Sequence, residues 1–210
     1  YNFDQPQISI TKDGEHIISI TDTFLDSRKP GSPAIPTKLS NIYIPNNEQV
    51  IDISVHSPSK KVLSGMYNLA PIQPPTRFGD TPVKVDPNPE IYNSDNLYPE
   101  DNYEFLRNRK LRGIKVAQTR IFPVQYNPAY GTIEYSPELT VTITTSDVAS
   151  SAAAFSTQAS PNYRNSAADN KIIEANIDNI TDFKPVALNT FSASASSAAE
   201  TRQYVVITSS

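Results

Sequence analysis

Cysteine is absent from the sequence, which excludes disulfide bridges, thiolate metal sites and a cysteine nucleophile within these residues. Tryptophan is absent too, which counts against a sugar-binding surface built on exposed aromatic faces. Histidine occurs twice, as His16 beside an Asp-Gly turn and His56 on a polar strand face. Neither has a partner at metal-ligand or triad spacing, so both read as structural. GxSxG, HExxH and phosphate-cradling glycine loops are missing as well. These residues therefore do not read as an enzyme, and neither a cofactor nor a metal is expected. No apolar run approaches the roughly 20 residues of a membrane helix, and no signal-peptide pattern opens the chain. Tyr1-Asn2-Phe3 reads as the start of a trimmed or mature chain. Six glycines stand against eighteen prolines, which implies many fixed, non-helical connections. A net charge of −4 argues against nucleic acid or an anionic membrane as the main partner.

What is present is strand pattern. In residues 111–145, Leu139, Val141 and Ile143 alternate with Thr140, Thr142 and Thr144, the period of a strand with one buried face. Upstream, Ile114, Val116, Phe122, Val124 and Tyr126 share one parity, interrupted by Gln118 and Arg120. That pattern predicts one long strand, bulged or exposed in its middle. Asn127-Pro128-Ala129-Tyr130-Gly131 is turn chemistry between the two. Earlier, Ile8 and Ile10, Lys12-Asp13-Gly14, then Ile17, Ile18 and Ile20 predict a β-hairpin. Further strands are expected over residues 39–45 and 50–56, the second with Ile51, Ile53 and Val55 on one face. The class is all-β.

Between Pro58 and Pro99, eight prolines in 42 residues dissolve the pattern into a long excursion. Only short strands, at 61–63 and 81–85, are expected there. Its acids (Asp80, Asp86, Glu90, Asp95, Glu100 and Asp101) match no calcium-loop spacing and read as solvated charge. Charge then reverses. No Asp or Glu occurs over residues 105–133, which carry Arg107, Arg109, Lys110, Arg112, Lys115 and Arg120. This arm reads either as an exposed hairpin kept soluble by its charges, or as a basic element for an acidic partner surface or a carboxylate-lined pocket. After Thr145 the chain turns Ala/Ser-rich. A connector over 148–203 is expected, with a short helix near 171–183 drawn from Ile172, Ile173, Ile177, Ile180 and Phe183. Arg202 and Arg164, in the Ala/Ser-rich stretches, are candidate proteolytic sites. Asn179-Ile180-Thr181 fits the glycosylation triplet, a pattern that often arises by chance. Tyr204-Val205-Val206-Ile207-Thr208 is a fresh apolar strand, expected to open a downstream domain over 204–210.

The order of these features resembles the N-terminal propeptide of gingipain-type cysteine peptidases, the C25 family. Three places carry the resemblance. One is Gly31-Ser32-Pro33-Ala34-Ile35-Pro36 with Ile42-Tyr43-Ile44-Pro45. The next is Arg112-Gly113, Phe122-Pro123-Val124-Gln125-Tyr126-Asn127-Pro128 and the strand from Leu139. The last is Tyr204 to Thr208. The resemblance implies an antiparallel, jelly-roll-like β-sandwich prodomain over 1–147, exported with its peptidase and holding it inactive until the connector is cut. The partner would be the chain's own downstream caspase-like peptidase domain, with the catalytic Cys and His beyond Ser210. In the best-known members a basic prodomain side chain enters the specificity pocket. Arg107, Arg109, Lys110 and Arg112 are the candidates for it here, because a guanidinium pairs well with a carboxylate floor. The alternative is a β-sandwich adhesion or carbohydrate-binding module that uses Tyr67, Tyr92, Tyr98 and Tyr103 as contacts.

Overall fold

The computed structural model describes residues 1–45, 47–147 and 167–182, and the backbone alone of 202–206. The alternating segments become β1 (Gln7–Ile10), β2 (His16–Ser19), β3 (Phe24–Leu25), β4 (Pro36–Ile44), β5 (Glu48–His56) and β6 (Lys61–Leu63). After a short helix α1 (Pro89–Tyr92) come β7 (Tyr103–Leu111), β8 (Ile114–Ile121), β9 (Val124–Asn127), β10 (Thr132–Tyr135) and β11 (Thr140–Asp147). Helix α2 (Ala167–Glu174), a 3-10 turn (Ile180–Asp182) and β12 (Arg202–Val206) follow. Four sheets run β3-β4-β8-β7, β12-β11-β5, β6-β10-β9 and β1-β2, with every described strand pair antiparallel. The expected all-β, antiparallel architecture is the observed one.

One core joins the sheets. Ile42 and Ile44 of β4 and Ala117 and Ile121 of β8 pack with Ile53, Val141, Ile143, Tyr126 and Ile133 from the others. Leu139, Val141 and Ile143 are buried, as their alternation predicts. In β5 the pattern misleads. Ile53 is buried, but Ile51 is 54% exposed. The ladder pairs Thr144 with Asp52 and Thr145 with Val50, so Ile51 is the extra residue of a bulge and the inward parity passes to Val50. The same bulge brings Thr145 Oγ1 to the buried Glu48 carboxylate, to which it donates.

The long strand expected from Ile114 to Tyr126 is two strands, β8 and β9, broken at Phe122-Pro123, where proline removes a ladder donor. Gln118 and Arg120 are not exposed but buried, because β8 is covered on both faces. Its odd-numbered residues face the core. Its even-numbered Ile114 and Val116 join Tyr43 under Ile173 and Ile177 in a second apolar cluster. Arg120, 4% exposed, is neutralised through Nη1 by Asp26 (2.9 Å) and Glu104 (2.7 Å).

The proline-rich excursion packs where the pattern suggested only looseness. Leu69, Ala70 and Ile72 are buried, and Leu69 belongs to the core. Its strand at 61–63 is β6; residues 81–85 form no strand, Lys84 instead pairing with Asp13 (2.8 Å). Asn88 caps α1, its side chain accepting from the Glu90 N–H, with Pro89 at the first helical position. Helix α2 begins before the expected 171–183, so the last residues of the Ala/Ser-rich stretch are helical. Phe183, the remainder of 148–166 and the SASASSAA run at 192–199 lie outside the described residues.

Beyond α2, two side chains finish the sheet. Asp178 N–H donates to Asn41 O (2.9 Å), and Asn41 N–H donates to Asp178 Oδ2 (3.0 Å). Tyr43 N–H donates to Asn179 Oδ1 (2.7 Å), and Asn179 Nδ2 donates to Tyr43 O (3.2 Å). A carboxylate and an amide thus complete the free edge of β4 as a neighbouring strand would. Asn179 is buried in this role, which leaves its glycosylation triplet closed in the folded chain. The backbone of β12 pairs with β11, Tyr204 opposite Ile143 and Arg202 opposite Thr145.

Candidate functional site

The basic arm is the hairpin β7–β8. Leu111 pairs with Ile114, so Arg112-Gly113 is a two-residue turn. Both turn residues have positive φ, 49° and 91°. That is the backbone hand that matches strand twist in tight hairpins, and glycine adopts it freely while arginine does not. Arg112 stands at the tip with its side chain half exposed, 3.6 Å from Asp169 of α2.

A bulge decides where the other cations point. Phe105 pairs with Thr119, but Arg107 pairs with Gln118, so Leu106 is the extra residue. Before the bulge, Tyr103 and Phe105 share the parity of Ile121 and Thr119, the core side. After it, Arg107 and Arg109 share the parity of Gln118 and Val116, the outer side. Without the bulge both guanidiniums would be directed at the core. Arg107 Nε lies 3.4 Å from Gln118 Oε1, and Gln118 Nε2 donates to Asn41 Oδ1 (3.0 Å). Arg109 is half-buried, and its Nε has no hydrogen-bond partner.

Lys110 falls on the opposite side, across from Lys115. Lys115 donates to Glu48 O. Burial holds its ammonium below the usual lysine range; Glu48 pulls the other way and Lys110 adds to the fall. The four sequence candidates are therefore not one cluster. Arg107 and Arg109 share a face, Lys110 takes the other, and Arg112 crowns the turn. Strand β7 closes its sheet on one side, so its outer N–H and C=O groups have no strand neighbour among the described residues.

Of the cleavage candidates, Arg202 has its backbone in β12 and Arg164 lies outside the described residues. His16 accepts through Nδ1 from Asn68 N–H (3.1 Å) and stands edge-on to Tyr67 at 5.4 Å, a packing role. Among the described residues, no group of His, Asp or Glu is placed to hold a metal ion. No described helix is long and apolar enough to cross a membrane.

Compared with known proteins, residues 2–174 match the family Propeptide_C25. Two solved structures share the fold. The complex of Porphyromonas gingivalis RgpB pro- and mature domains aligns at TM-score 0.60 and 17% identity, over 84% of this chain and 88% of that one. A structure addressing zymogenic latency of gingipain K, also from Porphyromonas gingivalis, aligns at TM-score 0.52 and 24% identity, over 67% and 81%. No curated protein matches the chain.

Proposed function

The chain belongs to the C25 propeptide family, and from that premise we propose that it is the intramolecular inhibitor and folding aid of the peptidase that follows it. The observation that carries this reading is β7, an edge strand bearing Arg107 and Arg109 that ends in Arg112 at a tight tip. A peptidase cleft takes its substrate as an extended strand, and a free edge offers the main-chain groups for such pairing. The titles of the two similar structures, a pro- and mature-domain complex and a zymogen latency, support carrying this role over. Arg112 is the best-placed substrate mimic, because the turn projects it beyond the sheet while Arg107 and Arg109 lie along the sheet's outer side. Residues 204–210 would open the peptidase domain, and cutting at Arg202 or Arg164 would separate the two. The same reading makes the protein an exported one.

The test is direct. The purified chain, added to the matching mature peptidase, inhibits it at micromolar concentration or below. Charge reversal of Arg107, Arg109, Lys110 and Arg112 together raises the inhibition constant at least about 100-fold, on the order of 2.7 kcal/mol. Arg112→Ala alone accounts for most of that loss. A wild-type chain without inhibition would sink the reading. An unaffected quadruple variant would remove the hairpin from it.

A further inference from the structure

At the end of β7 away from the hairpin tip, the fold leaves a cavity of about 470 Å³. Ile35, Ile72, Ile91, Leu97 and Phe122 give it an apolar wall. Its floor is the ion cluster of Arg120, Asp26 and Glu104, with Lys29 3.5 Å from Glu104. Its rim carries Glu90, Glu100 and Asp101, all exposed and none in an ion pair among the described residues. The floor therefore neutralises itself, and the rim is left with unanswered negative charge. The floor also keeps one donor spare: Arg120 Nε is buried without an acceptor.

An apolar shaft with a carboxylate collar matches one kind of side chain. Lysine and arginine lay their methylene stems on apolar surface and hold the charged head at its edge. We infer that this cavity receives a lysine or arginine side chain from a surface segment of the peptidase domain, a second anchor apart from the hairpin. A main-chain carbonyl of the same segment, after a small shift of the guanidinium, supplies the acceptor that Arg120 lacks. This inference rests on the proposed pairing with the peptidase and adds its polarity. The nine residues of β7, at about 3.3 Å each, set the basic tip and the acidic cavity roughly 25–30 Å apart. A partner must then present negative charge to one end and positive charge to the other, which leaves a single orientation for docking.

The experiment measures inhibition of the mature peptidase by the full chain and by E90Q/E100Q/D101N, at low and high salt. All three positions are exposed, so the melting temperature of the triple variant stays at the wild-type value. Its inhibition constant rises about ten-fold at low salt, and its salt dependence flattens, because rim charges act at long range and are screened. Combined with R112A, the two losses multiply, as expected for sites too far apart to couple. If wild type inhibits and the triple variant matches it in both constant and salt slope, the acids are merely solvated and this inference falls while the hairpin reading stands. If wild type does not inhibit, both fall.

Discussion

Arg112 sits in left-handed backbone at φ 49°, where a side chain meets its own carbonyl and asparagine or glycine is the favoured occupant. An arginine retained there stores strain at a functional position, a pattern with an energetic signature. Arg112→Asn should make the turn Asn-Gly, the preferred pair for this geometry. It loses only a long, half-exposed ion pair to Asp169, which is worth little. The expected result is a chain more stable by about 0.5–1 kcal/mol, or about 1–3 °C in melting temperature, and at the same time a poorer inhibitor. Calorimetry beside the inhibition assay checks both. A variant that is no more stable would show that the backbone at Arg112 carries no cost.

Among elements, Asp178-Asn179 does the work of a missing strand. Asn179→Ala removes both side-chain bonds to Tyr43 and strands a buried N–H, which costs about 2–3 kcal/mol. A chain ending at residue 147 lacks this edge cover and the lid over Val116 and Tyr43, and should self-associate. Size-exclusion chromatography against the full chain decides that, and a monomeric truncation would contradict it. None of this was legible in the sequence, where Asn179 read only as a glycosylation triplet. Strand β11 was legible because one of its faces is buried and the other partly wet. Strand β8 was not, because α2 and Asp26 cover the face that Gln118 and Arg120 occupy, and a strand buried on both sides loses its alternation. Bulges at Ile51 and Leu106 hid the rest, since one inserted residue reverses every later assignment of inside and outside. The basic arm was visible as a gap in acidic residues. Its division into a face, a tip and a back was not, because that depends on Leu106. The cavity was invisible because its walls come from segments spread between Asp26 and Phe122.

The whole molecule, without a disulfide, is pinned by phenols. Tyr92 donates to Leu69 O, Tyr103 to Ile53 O, Tyr126 to Tyr67 O and Tyr135 to Phe3 O, each tying a strand or helix to a distant stretch. Burial raises the Tyr92, Tyr126 and Tyr135 phenols above the ordinary value, and burial with the Asp178 carboxylate raises that of Tyr1. A group raised in the folded state contributes its stability in full below the unfolded value of about 10. That stability is lost as pH climbs past it, because the unfolded chain releases protons first. Lys115, lowered in the fold, works the other way but is one group against four. The melting temperature should fall by several degrees between pH 9 and pH 11.5, and a flat profile would show that these phenols are not coupled to folding.

The edge cover on β4 also separates a nick from a release. Residues 167–182 are part of the folded body, held by Asp178, Asn179, Ile173 and Ile177. A cut at Arg164 would leave that stretch seated, so both fragments would still migrate as one particle under native conditions and part only in denaturant. A cut at Arg202 falls past the last of these contacts. If both sites are used, the first cut changes the gel and the second sets the peptidase free.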